Sequence, residues 1–126
     1  MTPKALIVED DESVRNTLEK VLTSSGIRSV PTASGQEALE KLGEESFDIV
    51  LLDINLDGMD GFQVIHALRG EGNRIPVMVV SGRTEDVDML YSLEIGADDY
   101  ITKPFNPVTL AAKVKALIRR CQTSGA

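Results

Sequence analysis

Hydrophobic residues follow two alternating patterns along the chain. Short apolar runs, which are typical of buried strands, occupy residues 5–8, 27–32, 48–52, 77–80 and 99–102. Between these runs, apolar residues recur every three or four positions, as at Val14, Leu18 and Leu22. That wider spacing is typical of amphipathic helices. The pattern therefore predicts five strands, each followed by a helix.

Strands that alternate with helices indicate an α/β fold. We expect a doubly wound (βα)5 parallel sheet with right-handed crossovers and helices on both faces. The run at 27–32 is the most polar and is expected at an edge of the sheet. No repeat or interdomain linker interrupts the pattern. One domain is predicted for residues 1–121, followed by a polar C-terminal tail at 122–126.

Capping residues mark the starts of several helices. Ser34, three residues before Glu37, forms a capping-box pattern, and Asn106 before Pro107 predicts the start of the last helix. Thr84 is predicted to cap the fourth helix. The fourth helix has a thin apolar face made of Val87, Leu90 and Leu93. We expect it to be the least firmly anchored helix.

Charge and composition narrow the functional classes. With 13 basic and 20 acidic residues, the net charge is −7, which argues against a nucleic-acid or anionic-membrane surface on this domain. A cation or a basic partner is more natural. No run approaches the roughly 18 apolar residues of a membrane span. The single cysteine, Cys121, cannot form an internal disulfide, so a cytoplasmic location is expected.

Polar residues follow four of the predicted strands. Glu9-Asp10-Asp11 follows the first, Asp53 the third and Ser81 the fourth, and Lys103 comes just after the fifth. Each alone has an ordinary role in a cap or a turn. The carboxyl ends of parallel strands meet at one edge of a sheet, where doubly wound folds bind ligands. Because all four polar groups fall at strand ends, the sequence predicts a functional site at this edge of the sheet.

Clustered carboxylates require a cation. Two charges 4 Å apart repel by about 4 kcal/mol at an effective dielectric constant near 20. Oxygen ligands favour Mg²⁺, with Mn²⁺ as a second choice. A carboxylate, a divalent cation, a hydroxyl and a lysine suit phosphoryl transfer to Asp53. Lys103 and the metal would neutralise the phosphoryl oxygens, and Ser81 would donate a hydrogen bond.

Six motifs carry a resemblance to a known family. They are Val8-Glu9-Asp10-Asp11, Leu51-Leu52-Asp53, Gly58-Met59-Asp60-Gly61, Val80-Ser81-Gly82, Gly96-Ala97-Asp98-Asp99-Tyr100 and Lys103-Pro104-Phe105. From about Lys4 to Arg120, the chain resembles the receiver domain of bacterial two-component response regulators. The resemblance implies a flavodoxin-like three-layer sandwich with strand order 2-1-3-4-5.

The resemblance also implies roles for individual residues. Asp53 would accept a phosphoryl group from a sensor histidine kinase or phosphotransfer protein. Mg²⁺ would be bound by Glu9, Asp10, Asp53 and the main-chain carbonyl of Asn55. Ser81 would move toward the phosphoryl group and the ring of Tyr100 would swing inward, while Lys103, before a cis proline bond, would pair with the phosphoryl group. Asn55 and Arg83 would influence how long the acyl phosphate survives. Such a domain is a signalling domain rather than an enzyme.

The closing motif is similar to the subfamily that carries a winged-helix DNA-binding domain. Receivers of that subfamily dimerise through the fourth helix, fifth strand and fifth helix. Asp98, Asp99, Lys113, Arg119 and Arg120 could supply ion pairs there. Two departures stand out, since Met89 and Thr109 are uncharged where that subfamily often has a salt bridge. Asp57 also replaces a proline that is usual in the loop after the phosphoacceptor.

Other functions fit the sequence less well. A haloacid-dehalogenase-type phosphatase or phosphotransferase needs a second Asp two residues after the first, where this chain has Asn55. A flavin-binding domain needs a phosphate loop after the first strand, and the acidic run there would repel phosphate. A receiver that acts as an interaction module without phosphorylation remains open.

Overall fold

The predicted alternation of strands and helices is confirmed. A computed structural model describes residues 2–124, with side chains through Cys121. The strands are β1 (Lys4–Val8), β2 (Arg28–Thr32), β3 (Ile49–Leu52), β4 (Val77–Ser81) and β5 (Asp99–Thr102). The helices are α1 (Glu12–Ser24), α2 (Gly35–Glu44), α3 (Gly61–Gly70), α4 (Asp86–Glu94) and α5 (Pro107–Ser124).

All neighbouring strands are parallel, and their order is β2-β1-β3-β4-β5, as expected. The more polar β2 lies at an edge. In the register of the sheet, Val8 of β1 is opposite Leu52 of β3. The residues that follow these two, Glu9 and Asp53, are therefore brought side by side at the carboxyl edge of the sheet.

The sheet separates two hydrophobic clusters. Residues of β3 alternate between them: Val50 and Leu52 face the cluster of α2 and α3, while Ile49 and Leu51 face that of α1 and α5. All four side chains are buried. Because β3 is held on both faces and by strands on both edges, it is a rigid support for the residue that follows it.

Side-chain caps begin most of the helices, and α4 is the exception. The side chains of Asp11, Ser34 and Asp60 accept hydrogen bonds at the starts of α1, α2 and α3, and Asn106 does so for α5. The predicted cap at Thr84 is wrong. Helix α4 starts one residue later, so Glu85 occupies the cap position, and its side chain makes no capping bond.

The predicted apolar face of α4 is wrong, because Val87, Leu90 and Leu93 are all exposed, and the helix instead packs the partly buried Met89 against the core. Ser92 is its one buried residue, whereas Val87 is 75% and Leu90 59% exposed. Packing therefore contributes little to holding this helix on the sheet.

Helix α5 continues through Ser124, so its backbone includes the start of the predicted tail, and residues 125–126 of that tail lie outside the described part. Cys121 is half-buried. Within residues 2–124, no helix combines the length and the apolar character needed to cross a membrane.

Candidate functional site

Three carboxylates meet at the carboxyl edge of the sheet. Oxygen atoms of Glu9, Asp10 and Asp53 all lie within 4.8 Å of one another. Glu9 is 1% and Asp53 5% exposed, while Asp10 faces solvent. Hard oxygen donors, two of them buried and one open to water, fit a divalent cation that keeps part of its hydration shell.

Lys103 reaches this cluster from the end of β5. Its Nζ donates to Glu9 Oε1 at 2.6 Å and to Asp53 Oδ2 at 3.2 Å. Its backbone N–H donates to the carbonyl of Ser81 at 2.8 Å, and the Lys103–Pro104 bond is cis. One lysine thus lies between two buried carboxylates.

The electrostatics of the cluster follow from burial and charge. Burial raises the pKa of Glu9 to about 7, and the charge of Asp53 adds to this, although the hydrogen bond from Lys103 opposes it. Burial also acts to lower the pKa of Lys103, but the bond to Glu9 and the charge of Asp53 outweigh it and raise that pKa. The single lysine does not neutralise all three carboxylates, so the cluster keeps an excess of negative charge. This excess favours the binding of a further cation.

The two predicted switch residues, Ser81 and Tyr100, meet at the backbone of Arg83. Ser81 is fully buried, and its Oγ accepts a hydrogen bond from the Arg83 N–H at 3.2 Å. Tyr100 is 7% exposed, and its hydroxyl donates to the Arg83 carbonyl at 2.9 Å. Burial raises the pKa of this hydroxyl. The ring of Tyr100 therefore occupies the inward position in this structure.

Asn55 and Arg83 form the rim of the site. The backbone N–H of Asn55 donates to Asp53 Oδ1 at 3.2 Å, and its side-chain oxygen accepts from Arg83 Nε at 2.9 Å. Asn55 is exposed. The role of its main-chain carbonyl as a metal ligand stays a prediction.

Sequence reasoning missed two residues that position the site. Arg15 Nη1 donates to the carbonyls of Glu9 at 2.9 Å and Asp10 at 3.3 Å, which ties α1 to the acidic loop. Gly61 lies so close to the end of β3 that an added Cβ would be 2.5 Å from the Asp53 carbonyl oxygen. The position of Gly61 in the Gly-Met-Asp-Gly motif was the only sequence signal for it.

Comparison with known proteins identifies related sequences. Residues 5–115 match the family model of the response regulator receiver domain. The transcriptional regulatory protein AfsQ1 of Streptomyces coelicolor is 39% identical over 118 residues, covering 94% of this chain and 52% of AfsQ1. The transcriptional regulatory protein PrrA of Mycobacterium tuberculosis is 44% identical over 119 residues, covering 94% and 51%. The chain spans about half the length of these relatives.

Solved structures agree with the fold. A CheY-like receiver domain protein from Methanospirillum hungatei superposes with a TM-score of 0.92 at 28% identity, covering 98% of this chain and 99% of that chain. The BeF3-activated receiver domain of Klebsiella pneumoniae RstA gives a TM-score of 0.87 at 34% identity, covering 92% and 98%. The expected flavodoxin-like sandwich is confirmed.

Proposed function

Because this chain belongs to the family of response regulator receiver domains, a family of signalling domains, we propose that Asp53 is its phosphoacceptor. The observation that carries the proposal is the setting of this carboxylate. It is 5% exposed at the end of β3, and Lys103 Nζ is 3.2 Å from its Oδ2. Glu9 and Asp10 offer carboxylate oxygens within 4.8 Å. These groups suit a phosphoryl group and its counter-cations better than they suit any other ligand.

In the proposed reaction, an Asp53 oxygen attacks the phosphorus of a phosphohistidine on a sensor kinase. A phosphorus–oxygen bond forms while the phosphorus–nitrogen bond breaks, and the nitrogen keeps the electron pair. Lys103 neutralises one phosphoryl oxygen, and the Ser81 hydroxyl donates to another. Attack of water on phosphorus later restores the Asp53 carboxylate and releases inorganic phosphate. We propose that the domain promotes only these two steps.

We propose that Mg²⁺, or Mn²⁺ in its place, is held by Glu9, Asp10, Asp53 and the main-chain carbonyl of Asn55. The cation supplies positive charge opposite the phosphoryl oxygens. The chain's own residues prepare for it: Lys103 keeps both buried carboxylates oriented, and Arg15 fixes the backbone that presents Glu9 and Asp10.

Incubation with acetyl phosphate and Mg²⁺ tests this function by intact mass. The wild-type chain is expected to gain one phosphoryl group, and Asp53→Ala none, because Glu9, the other buried carboxylate that contacts Lys103, is assigned to the cation in this proposal and not to the attack on phosphorus. Omitting Mg²⁺ and adding EDTA is expected to abolish most of the gain. Asp60→Asn serves as a matched control, because Asp60 caps α3 outside the cluster and its loss leaves the phosphoacceptor intact.

Two results would contradict the proposal. Equal labelling of wild type and Asp53→Ala would mean that another residue accepts the phosphoryl group. No labelling of wild type, either by acetyl phosphate or by a phosphorylated kinase, would favour an interaction module that works without phosphorylation.

The family of this domain indicates the classes of protein with which it interacts. We propose a sensor histidine kinase or phosphotransfer protein as the donor, in the cytoplasm, where a single reduced Cys121 is stable. The named relatives are transcriptional regulators, so we propose an output in transcription through a part of the protein that this chain does not contain. Cell fractionation that finds the protein outside the cytoplasm would reject the location.

We also propose that phosphorylation promotes a homodimer through α4, β5 and α5. Ion pairs alone do not explain such an interface, since Asp98 is paired with Arg69 at 3.2 Å and Asp99 with Lys113 at 3.3 Å within the chain. The exposed apolar side chains of α4, which include Leu90, supply the contact area instead. Light scattering is expected to show twice the monomer mass only after phosphorylation.

Leu90→Asp is expected to prevent this increase in mass. Val108→Asp is the control, because Val108 is 78% exposed but lines the groove between α1 and α5. A phosphorylated wild-type chain that stays monomeric, or a Leu90→Asp chain that still dimerises, rejects this interface.

A further inference from the structure

Arg83 connects the rim of the site to the first turn of α4. Its Nε donates to Asn55 Oδ1 at 2.9 Å, and its Nη1 lies 3.4 Å from Asp88 Oδ1. The guanidinium carbon is 5.4 Å from the ring centre of Phe62 on α3. These three contacts, an amide, a carboxylate and an aromatic face, define one resting position for the guanidinium.

The backbone of Arg83 is fixed independently of that position. Its N–H donates to Ser81 Oγ and its carbonyl accepts from the Tyr100 hydroxyl. The long side chain can therefore exchange partners while the backbone stays in place. Its side chain is 34% exposed, so part of it is open to solvent.

In space, a single residue lies between Asp53, the proposed phosphoacceptor, and the guanidinium of Arg83. Asn55 bridges the two, because its backbone N–H donates to Asp53 Oδ1 while its side chain accepts from Arg83. A phosphoryl group on Asp53 would place close to two negative charges near Arg83. Charge-assisted hydrogen bonds to phosphate are stronger than a partly exposed ion pair with a carboxylate at 3.4 Å.

The side chain of Asp88 connects the first turn of α4 to the rest of the domain. Glu85 makes no side-chain cap, and Asp86 is exposed. Among the hydrogen bonds and ion pairs described for residues 2–124, the Asp88–Arg83 pair is the side-chain link between this turn and the rest of the domain. Later in the helix, Tyr91 contacts Phe62 and His66.

We propose that Asp88 is a positioning residue that holds the guanidinium of Arg83 away from Asp53, and that a phosphoryl group on Asp53 competes with Asp88 for it. The proposal rests on the proposed function of Asp53. When Arg83 leaves Asp88 for the phosphoryl group, it shields the phosphorus from water and frees the first turn of α4. Asp88 thereby shortens the lifetime of the acyl phosphate and couples that lifetime to α4.

Hydrolysis of the phosphorylated chain, followed by intact mass after removal of acetyl phosphate, tests the competition. Asp88→Asn is expected to slow hydrolysis by about 2- to 5-fold, the range for losing a partly exposed ion-pair competitor. Arg83→Ala is expected to hydrolyse faster than wild type. In the double variant Arg83→Ala/Asp88→Asn, the second substitution is expected to have no further effect on the hydrolysis rate, because the guanidinium that Asp88→Asn would release is absent.

Asp86→Asn is the matched control. It removes the same charge from the same helical turn without contacting Arg83, so its hydrolysis rate is expected to equal that of wild type. The role of Asp88 is overturned if Asp88→Asn hydrolyses at the wild-type rate, if Asp86→Asn slows hydrolysis equally, or if the effect of Asp88→Asn persists without Arg83.

Amide hydrogen exchange separates this proposal from the function of Asp53. In the unphosphorylated chain, Asp88→Asn is expected to speed exchange in the first turn of α4 to the rate of the phosphorylated wild type, whereas Asp86→Asn is not. A chain that never takes phosphate rejects the phosphoacceptor. A phosphorylated chain with unchanged exchange in Asp88→Asn rejects only the role of Asp88.

Discussion

Lys103→Met is expected to slow phosphorylation by acetyl phosphate about 10²- to 10³-fold, because it removes a preorganised cation from the position where phosphoryl charge develops. It is also expected to lower the free energy of unfolding by about 3 kcal/mol in the absence of metal, since two buried carboxylates lose their shared partner. Methionine keeps the length of the side chain, so little packing is lost. Labelling rates and urea unfolding measure the two effects.

The unfolding measurement is best made at pH 8, where Glu9, with a pKa of about 7, is ionised in the wild type. Added Mg²⁺ is expected to restore part of the lost stability, because it neutralises the same carboxylates.

Lys4→Met is the matched control for Lys103→Met. Lys4 is 20% exposed, against 22% for Lys103, and both make an ion pair at 2.6 Å. Lys4, however, lies at the opposite end of the sheet, and its partner Glu45 is 35% exposed. Its loss is expected to cost less than about 1 kcal/mol and to leave labelling unchanged. If Lys103→Met were labelled at the wild-type rate, Lys103 would have no part in the transfer.

Gly61→Ala is expected to destabilise the domain by about 1–3 kcal/mol and to slow phosphorylation by up to about 10²-fold. The new Cβ would lie 2.5 Å from the Asp53 carbonyl oxygen and 2.7 Å from Ile54 Cα, and both of these are backbone atoms. The end of β3 must therefore shift, and Asp53, the proposed phosphoacceptor, with it. Thermal unfolding and the rate of labelling by acetyl phosphate measure the two effects.

Gly70→Ala tests whether these effects come from position rather than from the loss of glycine. Gly70 ends the same helix, and a Cβ there meets nothing within 4 Å. The substitution is expected to be neutral or to stabilise by up to about 1 kcal/mol. Equal effects of the two substitutions would mean that the approach of Gly61 to β3 does not position Asp53.

The fold and the central cluster could be predicted because they depend on local information. A short apolar run predicts a buried strand, and a parallel sheet brings the residues that follow each strand to one edge. That rule singled out the acidic run Glu9-Asp10-Asp11 together with Asp53, Ser81 and Lys103, and the family resemblance then selected Glu9 and Asp10 from the run. The structure brings Glu9, Asp10, Asp53 and Lys103 together. No knowledge of side-chain packing was needed.

The remaining features depend on the distance between elements that are far apart in sequence. The contacts of Arg83 with Asn55 and Phe62 require α3 and two loops to be in place, and no periodicity encodes them. The cap position of α4 was misplaced by one residue. A threonine before two acidic residues is a good capping signal, but the path of the chain from β4 places Glu85 at the cap position.

The two hydrogen bonds that hold the backbone of Arg83 also bear on how this site can diversify. Both use main-chain atoms, the N–H toward Ser81 and the carbonyl toward Tyr100, so they do not depend on which side chain position 83 carries. Proline is the exception, because it has no N–H to donate. Other side chains can therefore replace arginine at this position without loss of the two main-chain hydrogen bonds that join Ser81 and Tyr100 to it.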